Sequence, residues 1–98
     1  MLLIRNIFQI RAGSMKQALE VMKRGDALMK KGPFRRSRAL TDVASDFYTL
    51  VLEIEVESLA DFEKGTAETF ANPEWQAWYQ QLTPLIQSGR REIFRVVE

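Results

Sequence analysis

The chain has 98 residues and carries 14 lysines and arginines against 13 aspartates and glutamates, a formal net charge of +1, so its overall charge indicates neither a nucleic-acid nor a membrane partner. It contains no cysteine and no histidine, which excludes a disulfide framework, a soft-metal site, a thiolate nucleophile and a serine–histidine–aspartate triad. We therefore expect one soluble domain, spanning residues 1–98, in the cytoplasm.

Alternating apolar residues predict strands, and apolar residues at helical spacing predict helices. The predicted elements follow the order β-α-β-β-α-β and run from Leu2 to Arg11, Ser14 to Lys31, Phe34 to Val43, Phe47 to Glu57, Ser58 to Gln87, and Arg90 to Val97. With right-handed crossovers, this order predicts an α+β, ferredoxin-like domain. Its four-stranded antiparallel sheet should have the strand order 4-1-3-2 and carry the helices on one face.

The first strand places Asn6 on the face that also carries Leu2, Ile4, Phe8 and Ile10, and this face is expected to meet the helices. A buried carboxamide without a partner costs about 1–3 kcal/mol, so Asn6 needs a hydrogen bond. Two interpretations stay open. The amide bonds a backbone carbonyl of the overlying helix, or it points into a ligand pocket.

Boundary signals divide the helical regions. Ser14 and Gln17 predict a capping box at the start of the first helix, and Gly32-Pro33 predicts its end. Asn72-Pro73 is a further start signal, so the region from Ser58 to Gln87 is predicted to form two helices.

Three aromatic residues, Trp75, Trp78 and Tyr79, lie at helical spacing in the second of these helices. They would form the wall of a pocket for a flat or aromatic ligand, or they would fill the core.

In the strand hairpin, a short turn at residues 44–46 would place Leu40 and Tyr48 on the helix side, together with Arg36 and Arg38. A guanidinium there would reach the pocket rim and bind a carboxylate or an enolate; the alternative is an edge strand kept soluble by its charges. A one-residue bulge would reverse this placement. Tyr48 is either a hydrogen-bond donor and weak acid, or a half-buried strand aromatic with a hydrated hydroxyl.

Charged residues of the strands have structural interpretations. Glu53, Glu55 and Glu57 share one strand face and could hold a hard cation, but salt bridges to Arg35 or to arginines of a second subunit suit them better. The pair Arg90-Arg91 is interpreted as the start of a strand and not as a nucleic-acid site.

The second face of the sheet would carry Leu3, Ile7, Val43, Phe47 and Val51 among charged side chains. Such an apolar area usually marks an interface. Two-fold symmetry lets a second copy cover it with the same surface, so we predict a homodimer closed sheet to sheet.

The chain resembles the dimeric α+β barrel superfamily, which includes antibiotic-biosynthesis monooxygenases, haem-degrading monooxygenases and NIPSNAP-like proteins. The resemblance covers the whole chain. It is carried by the element order, Asn6 on the first strand, the helix start Ser58-Leu59-Ala60-Asp61-Phe62, the segment Asn72 to Trp78, and Leu82-Thr83-Pro84-Leu85. It implies a ligand pocket in each subunit between sheet and helices. In the oxygenase members, an asparagine on the first strand helps to hold substrate or oxygen near a tryptophan, a role that would fall to Asn6.

Without histidine the chain lacks the axial imidazole of the haem-degrading relatives, and we predict no cofactor and no metal. We expect it to bind a small apolar or aromatic ligand without turnover. The expected ligand-binding residues are Asn6, Trp75, Trp78 and Tyr79. One alternative is a cofactor-independent monooxygenase or isomerase with Asn6, Tyr48 and Arg38 as catalytic residues, and another is a purely structural assembly module.

Overall fold

The structure is a computed structural model that describes residues 1–34 and 36–98. Its elements follow the predicted order, with the second helical region divided in two. They are β1 (Leu2–Ile10), α1 (Met15–Lys31), β2 (Ser37–Thr41), β3 (Thr49–Val56), α2 (Leu59–Ala71), α3 (Pro73–Leu82), a 3-10 turn (Thr83–Leu85) and β4 (Ile86–Arg95). Arg35, predicted as an ion-pair partner for glutamates of β3, lies outside the described residues.

The strands form one antiparallel sheet in the order β2-β3-β1-β4, which confirms the predicted ferredoxin-like topology. In the central strand β1, Asn6 lies opposite Leu52 of β3 and Arg91 of β4. Directly opposed residues of antiparallel strands point to the same face, so these three side chains share the face that the helices cover. β4 begins at Ile86, earlier than the predicted Arg90.

The predicted break between α2 and α3 is confirmed. Asn72 Oδ1 accepts a hydrogen bond of 2.9 Å from the backbone N–H of Glu74, and Pro73 occupies the first helical position. Ser58 caps α2 in the same way, since its Oγ accepts a hydrogen bond of 3.1 Å from the N–H of Asp61. Each side chain satisfies a donor that the first turn of a helix leaves free.

The predicted capping box at Ser14 is wrong. Ser14 precedes α1, but its side chain makes no capping hydrogen bond, and its backbone has φ −106° and ψ 0°. A capping serine normally has an extended backbone, which aims the hydroxyl at the first-turn N–H groups. Here only the Ser14 carbonyl contributes to the helix, accepting a hydrogen bond of 2.9 Å from Ala18.

The predicted placement of Arg38 and Leu40 on the helix side is also wrong. Arg38 lies opposite Glu53 and Leu40 lies opposite Val51, so all of these residues point to the outer face of the sheet, which the helices do not cover. Side chains alternate along a strand, so a slip of one residue moves every side chain to the other face.

The connection between β2 and β3 explains the slip. Asp42 Oδ1 accepts a hydrogen bond of 2.9 Å from the N–H of Thr49. Tyr48 has a left-handed backbone with φ 63°, which ends the extended conformation, and β3 begins at Thr49 instead of the predicted Phe47. The connection is therefore longer than the predicted turn, and the register of β2 changes with it.

Buried side chains form two apolar clusters between the helices and the sheet. One is centred on Ile10 and Trp78, and the other on Ile4 and Phe62. Asn6 lies on β1 between Ile4 and Ile10, so the only polar residue of the inner face of β1 separates the two clusters. No helix in the described part of the chain is both long and apolar enough to cross a bilayer.

The outer face of the sheet carries an ion-pair cluster centred on Glu53, which is only 7% exposed. Arg38 Nε donates a hydrogen bond of 2.6 Å to Glu53 Oε1, and Arg5 Nε lies 3.3 Å from Glu53 Oε2. Arg5 and Arg90 both lie within salt-bridge distance of Glu92, at 3.8 and 3.6 Å. The glutamates of this face thus find arginines within the same chain.

Candidate ligand-binding site

A cavity of about 360 Å³ lies between the sheet and the helices, beside Asn6. Strands β1, β3 and β4 and all three α-helices contribute to its lining, which is mostly apolar and aromatic. Its size is at the small end of the range of about 300–1,000 Å³ that is typical of ligand pockets. We call it the Asn6 pocket.

Asn6 is held by an arginine that the sequence had not indicated as a site residue. Arg91 Nε donates a hydrogen bond of 2.7 Å to Asn6 Oδ1. A guanidinium only donates, so the carboxamide must present its oxygen to Arg91 and its NH2 group elsewhere. The described residues provide no hydrogen bond to Asn6 Nδ2, and this atom is not sealed from solvent. Asn6 is thus hydrogen-bonded to a side chain of the neighbouring strand β4, and not to a carbonyl of the overlying helix.

The Arg91 guanidinium also lies over the ring of Phe62, with its carbon 5.0 Å from the ring centroid. This distance is within the range of a cation–π contact. Within residues 1–34 and 36–98, Arg91 forms no salt bridge. Its two terminal NH2 groups therefore stay available at the wall of the Asn6 pocket.

Trp78 lines the Asn6 pocket and is 8% exposed. Its indole Nε1 donates a hydrogen bond of 2.7 Å to the carbonyl of Val21 in α1. The ring lies where a side chain at Gly25 would be, because a Cβ there would come within 2.5 Å of the indole nitrogen. The polar group of Trp78 is thus satisfied by the fold, and the residue offers a ligand only its apolar surface.

Trp75 and Tyr79 form the aromatic wall next to Trp78. Their rings are stacked, with centroids 4.7 Å apart and an interplanar angle of 13°. Phe70 extends this wall from α2, with its centroid 5.0 Å from that of Trp75. All of these residues line the Asn6 pocket, so the structure brings the predicted Trp75, Trp78 and Tyr79 together with Asn6.

Two residues predicted for the site lie elsewhere. Arg38 is on the outer face of the sheet, hydrogen-bonded to Glu53. Tyr48 precedes β3 in the hairpin connection, is 43% exposed and does not line the Asn6 pocket. The shifted hairpin register separates both residues from the helix side of the sheet.

The contribution of Arg91 and Phe62 was missed by sequence reasoning. The alternation of β4 places Arg91 and Ile93 on one face, but this pattern does not say which face meets the helices. The pairing of Arg91 with Asn6 shows which face of β4 meets the helices, and this pairing depends on the β1–β4 register. That register includes an irregularity between Gln9 and Ile10, which alternation does not predict.

A second hollow, of about 440 Å³, lies on the surface beside α2. Charged side chains of both signs line it, among them Arg36, Lys64, Glu57 and Glu68. It contains neither the aromatic wall nor Asn6, Tyr48 or Arg38. We therefore place the candidate site in the smaller, apolar Asn6 pocket.

The Asn6 pocket contains few ionisable groups. No aspartate or glutamate is among its described lining residues. The ionisable residues of this lining are Tyr79, Arg90 and Arg91. An arginine stays protonated in proteins and does not act as a base. The pocket thus combines aromatic surface with hydrogen-bond donors, the composition that is typical of small-molecule sites.

No protein-family model matches the chain, and no curated protein matches it in sequence. Solved structures do share its fold. A NIPSNAP family protein from Agrobacterium tumefaciens superposes with a TM-score of 0.92 at 19% identity, over 99% of this chain and 93% of that protein. A NIPSNAP domain protein from Burkholderia xenovorans gives a TM-score of 0.86 at 15% identity, over 99% of this chain and 95% of that one.

An enzyme is also among the similar structures. SnoaB, a cofactor-independent oxygenase from Streptomyces nogalater, gives a TM-score of 0.73 at 18% identity, over 99% of this chain and 93% of the oxygenase. Likeness at this level of identity shows the fold and not the activity. The chain therefore has the ferredoxin-like α+β fold of NIPSNAP family proteins and of this cofactor-independent oxygenase, as its resemblance to their superfamily implied.

Proposed function

We propose that this protein binds a small, largely apolar or aromatic molecule in the Asn6 pocket. The observation that carries the proposal is the composition of the pocket wall. Stacked aromatic rings of α3 lie on one side, and a single polar pair, Asn6 with Arg91, lies on the other. An apolar cavity with a few convergent polar groups is the usual form of a small-molecule site.

A purely structural role for the domain is less well supported. An assembly module would fill the space between helices and sheet with side chains, because protein interiors pack to the density of organic crystals. Here a cavity of about 360 Å³ remains beside Asn6. This space is open to solvent, and a ligand that fills it would bury apolar and aromatic surface.

Oxygenation or isomerisation of the bound ligand is the second candidate function, and the likeness to the oxygenase from S. nogalater favours it. In that case Asn6 and Arg91 would stabilise negative charge that develops on the substrate oxygen. Oxygen uptake with each ligand that binds tests this candidate. Binding without oxygen consumption or chemical change would contradict catalysis and support only the binding function.

The proposal includes a homodimer closed through the outer face of the sheet. That face carries Leu3, Leu40 and Phe94 around the ion cluster of Glu53. A surface that contains both charges and apolar side chains can be complementary to itself under two-fold symmetry. We also propose a cytoplasmic location, because a chain without cysteine needs no oxidising compartment for its stability.

Tryptophan fluorescence tests the binding function directly, because Trp75 and Trp78 both line the Asn6 pocket. The purified protein would be titrated with quinols, polyphenols, fatty acids, flavin and haem. We expect saturable quenching by one chemical class. In Asn6→Ala the affinity should fall about 3- to 10-fold, the effect of losing one hydrogen bond.

Gln80→Ala is the matched control, because it removes a carboxamide from an exposed position of α3 outside the pocket. Its affinity should equal that of the parent protein. If a folded protein shows no saturable response to any member of the panel, the proposed binding function is wrong.

A further inference from the structure

We infer that the ligand of the Asn6 pocket carries one negative charge, on a carboxylate or an enolate, and that Arg91 is its counter-ion. The inference rests on the proposed binding function and specifies the class of ligand. It starts from a contrast between the two faces of the sheet.

Arginines on the outer face are paired with acids. Arg5 and Arg38 contact Glu53, and Arg90 contacts Glu92. Arg91 follows Arg90 directly but points to the helix side, where it forms no salt bridge within the described residues. The pocket that it lines contains no described aspartate or glutamate. The positive charge of Arg91 is therefore not balanced by the pocket itself.

Arg91 is itself exposed, so water solvates its guanidinium at the edge of the pocket. Phe62, against which the guanidinium lies, is buried, and the rest of the wall is mainly apolar. A ligand that fills the pocket would displace part of this water, and the cation–π contact offsets only about 0.5–2 kcal/mol of such a loss. An anionic ligand that fills the cavity would supply the missing opposite charge at the moment when it excludes water.

The hydrogen-bonding groups of Asn6 and Arg91 also favour a negatively charged ligand. Nε of Arg91 is occupied by Asn6 Oδ1, which fixes the plane of the guanidinium and leaves its terminal NH2 groups. Asn6 Nδ2 is a further donor beside them. Every free polar atom of this pair is thus a donor, and a carboxylate, which only accepts, is the group that matches them.

The test uses compounds with one aromatic body and different charges. Naphthoate, naphthamide and naphthylmethylammonium, substituted at the same ring position, would each be titrated into the full-length protein by isothermal titration calorimetry. Charged hydrogen bonds are typically stronger than neutral ones, but Arg91 is partly solvated, so naphthoate should bind about 3- to 10-fold more tightly than naphthamide. The ammonium compound should bind most weakly of the three.

Variants of Arg91 test whether this side chain causes the preference for naphthoate over naphthamide. In Arg91→Met the affinity for naphthoate should fall about 3- to 10-fold, and the acid and the amide should then bind within about twofold of each other. Arg91→Lys should keep part of the preference, because it retains the charge but not the planar, bidentate geometry. Arg95→Gln is the control: it removes a positive charge from the same strand outside the pocket, and should leave the preference intact.

The outcomes separate the inference from the proposed function. If naphthamide binds the parent protein as tightly as naphthoate, or if Arg91→Met keeps the preference while circular dichroism shows it to be folded, the inference is wrong and the binding function stands. If none of the three compounds binds, and the wider panel does not bind either, both are wrong.

Discussion

The indole ring of Trp78 occupies the space where a side chain of Gly25 would lie. A Cβ on Gly25 would be 2.5 Å from Trp78 Nε1 and 2.7 Å from Cζ2. The same indole nitrogen donates its hydrogen bond to Val21, one helical turn earlier in α1. Absence of a side chain at Gly25 therefore lets α1 and α3 approach closely, and this close approach positions one wall of the Asn6 pocket.

Gly25→Ala should destabilise the protein. Overpacking in a well-packed core typically costs about 1–3 kcal/mol, and the better helix propensity of alanine returns up to about 1 kcal/mol. We expect a net loss of about 1–2 kcal/mol, or roughly 4–15 °C in Tm for a domain of this size. Thermal unfolding at a fixed protein concentration measures it.

Gly32→Ala is the control for this change, because a Cβ there meets only backbone carbonyls at ordinary contact distance, 3.6 Å. Its Tm should stay close to that of the parent. A Gly25→Ala protein that is as stable as the parent would show that α1 and α3 are less tightly apposed than the contact between Gly25 and Trp78 indicates.

Glu53→Gln should destabilise the sheet, because it removes the charge that faces Arg5 and Arg38. Loss of one partner from a fully buried pair costs about 3–5 kcal/mol, but both arginines are partly solvated, so we expect about 1–3 kcal/mol. Urea unfolding would measure the difference in the free energy of unfolding.

Glu55→Gln provides the comparison on the same strand. Its side chain is 44% exposed and its carboxylate lies 4.0 Å from Arg36, so removal of the charge should change stability by less than about 0.5 kcal/mol. Equal effects of the two substitutions would contradict the central role of Glu53 on the outer face.

The proposed dimer is tested at two adjacent residues of β4. Phe94 lies opposite Leu3 on the outer face and is 50% exposed, whereas Ile93 lies opposite Ile4 on the helix side and is 43% exposed. Phe94→Glu would bury a carboxylate in the interface, so the dissociation constant of the dimer should rise at least about tenfold. Ile93→Glu should leave it nearly unchanged.

Light scattering after size-exclusion chromatography, over a range of protein concentrations, gives the mass of each variant. A parent protein that stays monomeric at all concentrations contradicts the dimer. A dimer that Ile93→Glu disrupts and Phe94→Glu does not would move the interface away from the outer face.

Much of the fold was predictable because local chemistry determines it. Alternation along β1 assigned Asn6 to the helix side, and Asn72-Pro73 marked the break between α2 and α3. These features depend on residues that are neighbours in the chain, such as a side-chain oxygen that reaches an N–H two positions later. Right-handed crossovers then left one strand order, which the structure has.

The composition of the Asn6 pocket was only partly predictable. Helical spacing grouped Trp75, Trp78 and Tyr79, and the structure brings them to Asn6. Helical spacing does not reveal that Trp78 is held by the carbonyl of Val21, because these residues are distant in sequence and meet only when α3 packs on α1. Trp78 was interpreted either as a core residue or as a pocket wall, and in the structure it is part of both.

The amino-acid sequence by itself determined the type and order of the elements, because their caps, turns and periodicities are local. Only the tertiary structure decided which face each edge strand presents, since a shift of one residue exchanges the two faces at little local cost. That decision placed Arg38 with Glu53 on the outer face and Arg91 with Asn6 at the wall of the pocket. The polar end of the candidate site therefore depends on the pairing of strands that are far apart in the chain.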